Sequence, residues 1–247
     1  ETDFLMAKLN FLRSPFFGEK RDNEQIVEIC EKIKKIDNGY YWAYFYEQEA
    51  YEKMGKAQEV VDTYYEAKKI YAGMPEIYER AARAFWAYSQ FRETKNIIAQ
   101  AEEAGINSYY LRLRKLEMMR REAEDEDAMK AVDEYAGKLI EEMEEKGDAQ
   151  DDLLSDAYLQ RAFTHDNGYA REFRQVDEME RWAKRSVELA DNNRNRYFLG
   201  RFYEEYKGES RTAYEHLKKC EERGLDFEWL YFYIAQCHED FEEWDKA

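Results

Sequence analysis

Two histidines and two cysteines near the C-terminus are the residues whose types best suit a metal ion. His216 and Cys220 are four residues apart and share one face of a helix, and Cys237 and His238 follow on the next predicted helix. Structural zinc sites use these ligand types, usually in pairs separated by a short turn. Adjacent helical residues project about 100° apart, so Cys237 and His238 cannot easily face one ion. The spacing favours packing over a metal site, and we expect no metal and no other cofactor.

Motifs that carry catalysis are absent from the sequence. There is no glycine-rich phosphate loop, no Gly-x-Ser-x-Gly elbow and no His-Glu-x-x-His helix. The many carboxylates form runs, such as residues 122–127, that are typical of solvated turns and helix N-termini, where the helix dipole favours acidic residues. We therefore expect a protein that is not an enzyme.

Arginines recur in the predicted helices although the chain is acidic. Arginine presents a planar fork of N–H donors that matches a carboxylate, so arginines along a groove would favour an acidic or C-terminal peptide. The alternative is that they pair with Glu on neighbouring helices. The arginines in question are Arg80, Arg83, Arg112, Arg114, Arg120, Arg121, Arg194 and Arg201.

Composition excludes several classes of protein. The 247 residues carry 55 acidic against 38 basic side chains, a net charge of −17, which disfavours nucleic acid and anionic membranes as partners. No apolar run approaches the roughly 20 residues that span a bilayer. Three cysteines fit reduced thiols in the cytoplasm better than a disulfide framework. Only two prolines and eleven glycines interrupt the chain, which favours helices over strands.

A period of 34 residues runs through the N-terminal part of the chain. It places apolar residues and a turn residue in phase three times, which a composition bias would not do. Glycine and asparagine tolerate the left-handed conformation that ends many helices, so we expect that conformation at the turn residues. The sets are Phe17, Tyr51 and Phe85; Ile26, Val60 and Thr94; Cys30, Tyr64 and Ile98; Ile33, Ala67 and Ala101; and, at the turn, Gly39, Gly73 and Asn107.

Each unit reads as a helix, a tight turn and a second helix. Val60, Tyr64 and Ala67 form one helical stripe, a preceding helix contains Tyr51, and Gly55 separates the two. Neither helix can bury its stripe alone, so neighbouring units must stack.

These residues resemble the tetratricopeptide repeat (TPR) family. Leu199-Gly200 followed by Tyr203 is similar to the Leu-Gly-x-x-Tyr part of its 34-residue unit. Ala213, Leu217 and Cys220 occupy the second-helix positions, and Ile234, Ala235, His238, Trp244 and Ala247 begin a further unit. Sel1-type repeats are the nearest alternative, but they are usually longer and richer in Gly and Ala.

The resemblance is uneven along the chain. Residues 1–108 and 193–247 follow the period, whereas 109–192 depart from it. There we predict a helix over 107–122, a long helix over 125–146, a helix over 150–165, a polar break at 165–168 and a helix ending near Ala190. We treat 1–247 as one domain of about seven units, the first atypical and the last incomplete.

The resemblance implies an all-α, right-handed superhelical solenoid of about seven antiparallel helix-turn-helix repeats, whose first helices line a concave groove. His216 and His238 would fill core positions. The two-carboxylate clamp of chaperone-binding members is not matched, because its Lys and Asn positions are Phe45 and Glu49. The residues that the resemblance places in the groove are Trp42, Phe45, Glu49, Arg83, Arg120, Arg121, Arg194 and Arg201.

The aromatic run Tyr40–Tyr46 is apolar on every face, so it either fills a junction between units or supplies binding anchors. The leading hypothesis is a cytoplasmic protein–protein interaction scaffold that binds a protein or peptide in its groove. The alternative is a regulatory or sensor solenoid of a larger protein, such as a peptide-responsive regulator or a co-chaperone.

Overall fold

A computed structural model describes residues 1–14 and 22–241. The described residues form an all-α architecture of helices joined by turns, and they contain no β-strand. The predicted positions Phe17, Trp244 and Ala247 lie outside this part of the chain. The helices are α1 Thr2–Leu12, α2 Asn23–Ile36, α3 Tyr41–Lys53, α4 Ala57–Tyr71, α5 Pro75–Ala87, α6 Phe91–Glu103, α7 Tyr109–Glu122, α8 Glu126–Lys146, α9 Asp151–His165, α10 Val176–Leu189, α11 Asn193–Phe202, α12 Ser210–Glu222 and α13 Glu228–Asp240.

Consecutive helices pack against each other from α1 to α6 and from α8 to α13, as the repeat period predicts. The chain forms two compact units, and the boundary between Lys115 and Leu116 falls within α7. Unit 1 contains α1–α6 and the start of α7, and unit 2 contains the rest of α7 and α8–α13. Within the two described ranges, we find no helix with both the length and the apolar character to cross a bilayer.

The core of unit 1 follows the predicted stripes. Val60, Tyr64 and Ala67 on α4 are fully buried, and the Tyr64 ring meets the Tyr78 ring of α5 edge to face at 5.4 Å between centroids. Burying an aliphatic or aromatic side chain of this size stabilises the fold by about 1.5–3 kcal/mol. The stacked hairpins are therefore held by the residues that recur every 34 positions.

The long helix predicted over residues 125–146 is present in unit 2 as α8. The Asp125 carboxylate caps its N-terminus by accepting from the Ala128 amide at 2.7 Å. Gly147 ends it in the left-handed conformation, with φ 62°. Met129, on its apolar stripe, is fully buried.

The prediction of left-handed turns between successive repeats was wrong at Gly39, Gly73 and Asn107, none of which has positive φ. The Asp37 carboxylate instead accepts from the Gly39 amide at 2.9 Å, which turns the chain without left-handed backbone. Left-handed residues lie between the two helices of one repeat, as at Gly55 with φ 70° and Ser89 with φ 57°, and also between repeats, as at Gly105 with φ 72°, two residues before Asn107.

Candidate functional site

An aromatic stripe on α3 forms a candidate surface in unit 1. The opposite face of α3 is buried through residues such as Ala43 and Tyr44. Trp42, Phe45 and Tyr46 are left toward the surface, and Trp42 is 46% exposed. The Trp42 ring stacks on Tyr46 at 5.4 Å and meets Phe45 edge to face at 5.5 Å. We call Trp42, Phe45 and Tyr46 the aromatic surface of unit 1.

Two arginines flank this aromatic surface, and both are engaged. The Arg13 guanidinium lies 3.4 Å from the centre of the Tyr46 ring and donates to the Glu49 carboxylate at 2.8 and 3.3 Å. The Arg80 guanidinium lies 4.2 Å from the Phe45 ring centre and ion-pairs with Glu52. Glu49, expected in the groove, is therefore at this surface, but its charge is balanced by Arg13.

Arg83 belongs to a different part of unit 1. Its side chain is 52% exposed, and its guanidinium lies 3.9 Å from Glu52 and 5.0 Å from the Tyr110 ring centre on α7. Arg114 approaches the same ring at 5.6 Å. Arg83 thus packs with Tyr110, and its long contact to Glu52 leaves much of its guanidinium toward solvent.

Three of the predicted arginines converge on two phenylalanines in unit 2. The guanidinium carbons of Arg120 on α7 and Arg194 on α11 lie 5.3 and 5.6 Å from the centre of the Phe163 ring on α9. Phe163 meets Phe198 edge to face at 4.8 Å, and Arg201 lies 5.5 Å from the Phe198 ring centre. We call these five residues the arginine cluster.

Acidic side chains hold two arginines of the cluster. Arg194 donates to the Asp156 carboxylate at 2.7 Å, and Arg201 forms an ion pair with Asp166. Asp166 also accepts from the Tyr206 hydroxyl at 2.6 Å. Arg194, predicted for the groove, therefore has an ion-pair partner on α9.

Arg120 differs from its neighbours. Its Nε is buried without a hydrogen-bond acceptor, and no carboxylate of the described residues forms an ion pair with it. Burial lowers its pKa, and the positive charges of Arg121 and Arg194 act in the same direction, against Glu117. Arg121, also predicted for the groove, ion-pairs with Glu117 at 3.1 Å, one turn earlier on α7. Arg120 is thus a largely buried cation without an ion-pair partner beside an aromatic ring.

Sequence reasoning missed Phe163, Phe198, Asp156 and Asp166. Phe163 and Phe198 are separated by one residue more than a repeat. That near-periodic spacing was the available signal, but it falls in the irregular stretch where the period is lost. The two aspartates have no sequence signature, since their roles depend on which arginines approach them.

The histidines and cysteines near the C-terminus are engaged in packing and hydrogen bonds. Cys220 donates to the Asn193 carbonyl at 3.4 Å, and Cys237 donates to the Glu204 carboxylate at 3.5 Å. Burial raises the pKa of Cys220 to about 11 and that of Cys237 to about 12, so both thiols stay protonated at neutral pH. In residues 1–14 and 22–241, no three His, Cys, Asp or Glu side chains are arranged to hold a metal ion.

His216 and His238 pack against aromatic rings. The imidazole of His216 stacks with Tyr203 at 5.9 Å, and that of His238 meets Tyr214 edge to face at 5.0 Å. Burial lowers the pKa of His216 to about 4, and the neighbouring Arg196 adds to this effect. His216 is therefore neutral at pH 7.

Comparison with known proteins places this geometry in a fold. No family model matches the sequence, and no curated protein matches it. A chain of the APC/C hetero-tetramer Cut9–Hcn1 matches 96% of this chain with a TM-score of 0.71 at 10% identity. YrrB, described as a TPR protein with an unusual peptide-binding site, matches 86% with a TM-score of 0.55 at 16% identity. The chain has a TPR-like repeat fold.

A third solved structure matches the whole chain. Acl4, described as the assembly chaperone of RpL4, matches 100% of this chain and 98% of its own, with a TM-score of 0.62 at 12% identity. The match with YrrB covers 99% of that protein, whereas this chain spans 46% of the length of the Cut9–Hcn1 chain. The predicted all-α repeat solenoid is confirmed. In the TPR-like pairing of helices, α3, α7, α9 and α11 are first helices, and they carry both the aromatic surface of unit 1 and the arginine cluster.

Proposed function

We propose that this chain is a non-catalytic scaffold that binds a protein or peptide partner, one with acidic groups, in the groove that the first helices of TPR-like proteins line. The observation that carries the proposal is the arginine cluster, in which no carboxylate of residues 1–14 and 22–241 forms an ion pair with Arg120. The structural neighbours support a protein partner, since one is described by its peptide-binding site and another as an assembly chaperone.

Local charge, rather than net charge, decides which groups the arginine cluster attracts. Charges farther apart than about 8 Å are largely screened at physiological ionic strength. The net charge of −17 therefore weakens the approach of an acidic partner but does not govern contacts at Arg120. A guanidinium near an aromatic face is weakly hydrated, so a carboxylate binds it with little loss of hydration.

The aromatic surface of unit 1 would supply apolar contact area for the partner. Trp42 is nearly half exposed, and its neighbours Phe45 and Tyr46 hold it in place by ring contacts. Tryptophan and tyrosine are enriched among residues that dominate binding energy. Because Arg13 is balanced by Glu49, this surface favours apolar side chains rather than charged ones.

The experiment is an affinity capture with matched variants of the full chain. Proteins retained by the wild type are identified by mass spectrometry, and binding is then measured with the purified partner. Arg120→Glu should weaken binding by tenfold or more, and Trp42→Ala should weaken it as well, with helicity unchanged by circular dichroism. Arg181→Glu on α10, where Arg181 is 71% exposed, makes the same charge change away from the cluster.

An equal loss of binding in the Arg181→Glu control would show that the loss in Arg120→Glu comes from the net charge of the chain. Unchanged affinity in both Arg120→Glu and Trp42→Ala would contradict the assignment of both surfaces.

A further inference from the structure

We infer that the Asp156 carboxylate acts as an internal competitor: it holds Arg194 in the free protein and yields it to one anionic group of the partner, which binds first at Arg120. This inference rests on the proposed function, because it specifies the chemistry and regulation of the same arginine cluster. The ion pair that would open joins Asp156 on α9 to Arg194 on α11, with 2.7 Å between Asp156 Oδ1 and Arg194 Nη1.

Both guanidinium groups lie beside one aromatic ring. Arg120 and Arg194 lie 5.3 and 5.6 Å from the Phe163 ring centre, and the two are near enough for the charge of Arg194 to lower the pKa of Arg120. Arg120 brings a donor, Nε, that has no acceptor. An anion that reaches Arg120 therefore also attracts the guanidinium of Arg194, which is now held by Asp156.

Exposure explains why Asp156 is the carboxylate that can exchange. The Arg194 and Asp156 side chains are 46% and 17% exposed, so water screens this ion pair from the arginine side and less is lost when it opens. The pair of Arg201 with Asp166 is more buried, at 22% and 12% exposed, and the Tyr206 hydroxyl also holds Asp166. Opening that pair would leave a charge poorly solvated.

The ion pairs of the neighbouring arginines limit the ligand to a single anionic group. Arg121 is as exposed as Arg194, but its partner Glu117 is 7% exposed against 17% for Asp156, so opening that pair would leave a more buried carboxylate, and Arg201 is held by Asp166. Only Arg120 and the releasable Arg194 remain. The shared chemistry is an oxyanion with two or more acceptor oxygens, which a side-chain carboxylate, a chain-terminal carboxylate or a phosphoryl group each provides.

The test uses capped peptides as probes, titrated against the full chain and followed by the arginine Nε–H resonances in NMR. One peptide carries a single Glu, a second a single phosphoserine, and a third a free C-terminus. A fourth, with Gln and an amidated end, has no anion. The Arg120 resonance is assigned by its loss in Arg120→Gln. The expected result is a saturable shift of the Arg120 and Arg194 resonances with at least one anionic peptide and none with the fourth.

Asp156→Asn removes the competitor and should tighten binding of the same peptide by about 2- to 5-fold, the range that an exposed ion pair supports. Asp152→Asn makes the same charge change on the exposed side of α9 and should leave the affinity within error of the wild type. Arg120→Gln should abolish saturable binding, and circular dichroism establishes that each variant is folded.

Two results would overturn the inference. The first is an absence of any shift at Arg120 with all three anionic peptides at millimolar concentrations. The second is equal affinity for Asp156→Asn and Asp152→Asn. Either result leaves the scaffold function open to its own test, because a purified partner could still lose binding in Trp42→Ala, at the aromatic surface of unit 1.

Discussion

Gly200 on α11 lies so close to Leu217 on α12 that a Cβ atom at position 200 would come within 2.8 Å of Leu217 Cγ. The same Cβ would lie 3.2 Å from the Ala213 carbonyl oxygen. Both neighbours are fixed, because Leu217 and Ala213 are fully buried and one of the contacts is backbone. The glycine of the Leu-Gly pair is therefore required by the close packing of the two helices of this hairpin.

Gly200→Ala should destabilise unit 2 despite the higher helix propensity of alanine. Propensity favours the substitution by about 1 kcal/mol. Overpacking a filled core costs about 1–3 kcal/mol, and here the clash also involves backbone. We expect a net loss of about 1–2 kcal/mol, measured as a lower midpoint in chemical denaturation. Gly73→Ala is the control, since nothing lies within 4 Å of a Cβ there, and a similar loss in that variant would contradict the packing argument.

Lys34→Met should destabilise unit 1 strongly at neutral pH. The Glu47 carboxylate is 2% exposed and accepts from Lys34 Nζ at 2.6 Å. Burial raises the pKa of Glu47, and Lys34 opposes this. Removing the cation leaves a buried charge without its partner, which costs about 3 kcal/mol.

The pH dependence of the stability of the Lys34→Met variant tests whether the loss comes from the buried charge of Glu47. Without Lys34, the folded-state pKa of Glu47 lies further above its unfolded value. The variant therefore recovers stability relative to the wild type as pH falls through that raised pKa and loses it as pH rises. Denaturation of Lys35→Met, an exposed neighbour, should match the wild type at every pH. A Lys34→Met deficit that does not change with pH would contradict the assignment to Glu47.

Asp133 should contribute stability that depends on pH in the opposite direction. Burial opposes its ionisation, but hydrogen bonds from His165 and Arg161 outweigh it and lower its pKa to about 2. Because the pKa is lowered on folding, ionised Asp133 stabilises the folded state at pH values above its unfolded pKa of about 3.9. This stabilisation is lost as pH falls through the folded pKa of about 2. The contribution at neutral pH is about 2 kcal/mol.

The comparison of Asp133→Asn with the wild type tests this contribution. The stability difference should be full at pH 7 and shrink between pH 4 and about 2, followed by urea denaturation at each pH. Asp127→Asn, an exposed change on the same helix, should track the wild type. A difference that persists unchanged at pH 2 would assign the effect to packing rather than charge.

Asn195→Asp should be more damaging than Asn195→Ala. Asn195 is 2% exposed, and its amide Nδ2 donates to the Ala190 and Ser186 carbonyls at 2.7 and 3.0 Å and to Ser155 Oγ at 2.8 Å. Alanine removes these three hydrogen bonds, at a cost of about 1–3 kcal/mol, although the two carbonyls keep other donors. Aspartate adds a buried charge facing carbonyl oxygens, so its loss should be larger at pH 7 and smaller when the carboxyl is protonated. Equal losses by thermal denaturation at both pH values would contradict this account.

Asn195 also shows what the repeat period leaves undetermined. Helix α10 ends at Leu189 and α11 begins at Asn193, so the connection is short. The amide of Asn195 donates to one carbonyl on α10 and to one in this connection. The sequence contains Asn195, but only the folded chain shows which carbonyl groups accept from it.

The sequence by itself determined the helices, their pairing and the buried positions, because each depends on local periodicity. Val60, Tyr64 and Ala67 are buried as predicted, and Gly55 takes the left-handed turn between its two helices. The sequence also identified candidate arginines, but it could not distinguish paired from unpaired ones, since residue type does not show which acids lie nearby.

Tertiary structure decided the ionic partners, and through them the candidate site. Glu49 is neutralised by Arg13, which directly follows α1, and Arg194 by Asp156 from α9, whereas Arg120 lies beside Phe163 with no ion-paired carboxylate among the described residues. These pairs join residues far apart in sequence, at distances that depend on how helices pack within each unit. The interaction of charges falls steeply with distance and with exposure to water, so a difference of a few ångströms separates a balanced arginine from one that can bind a ligand.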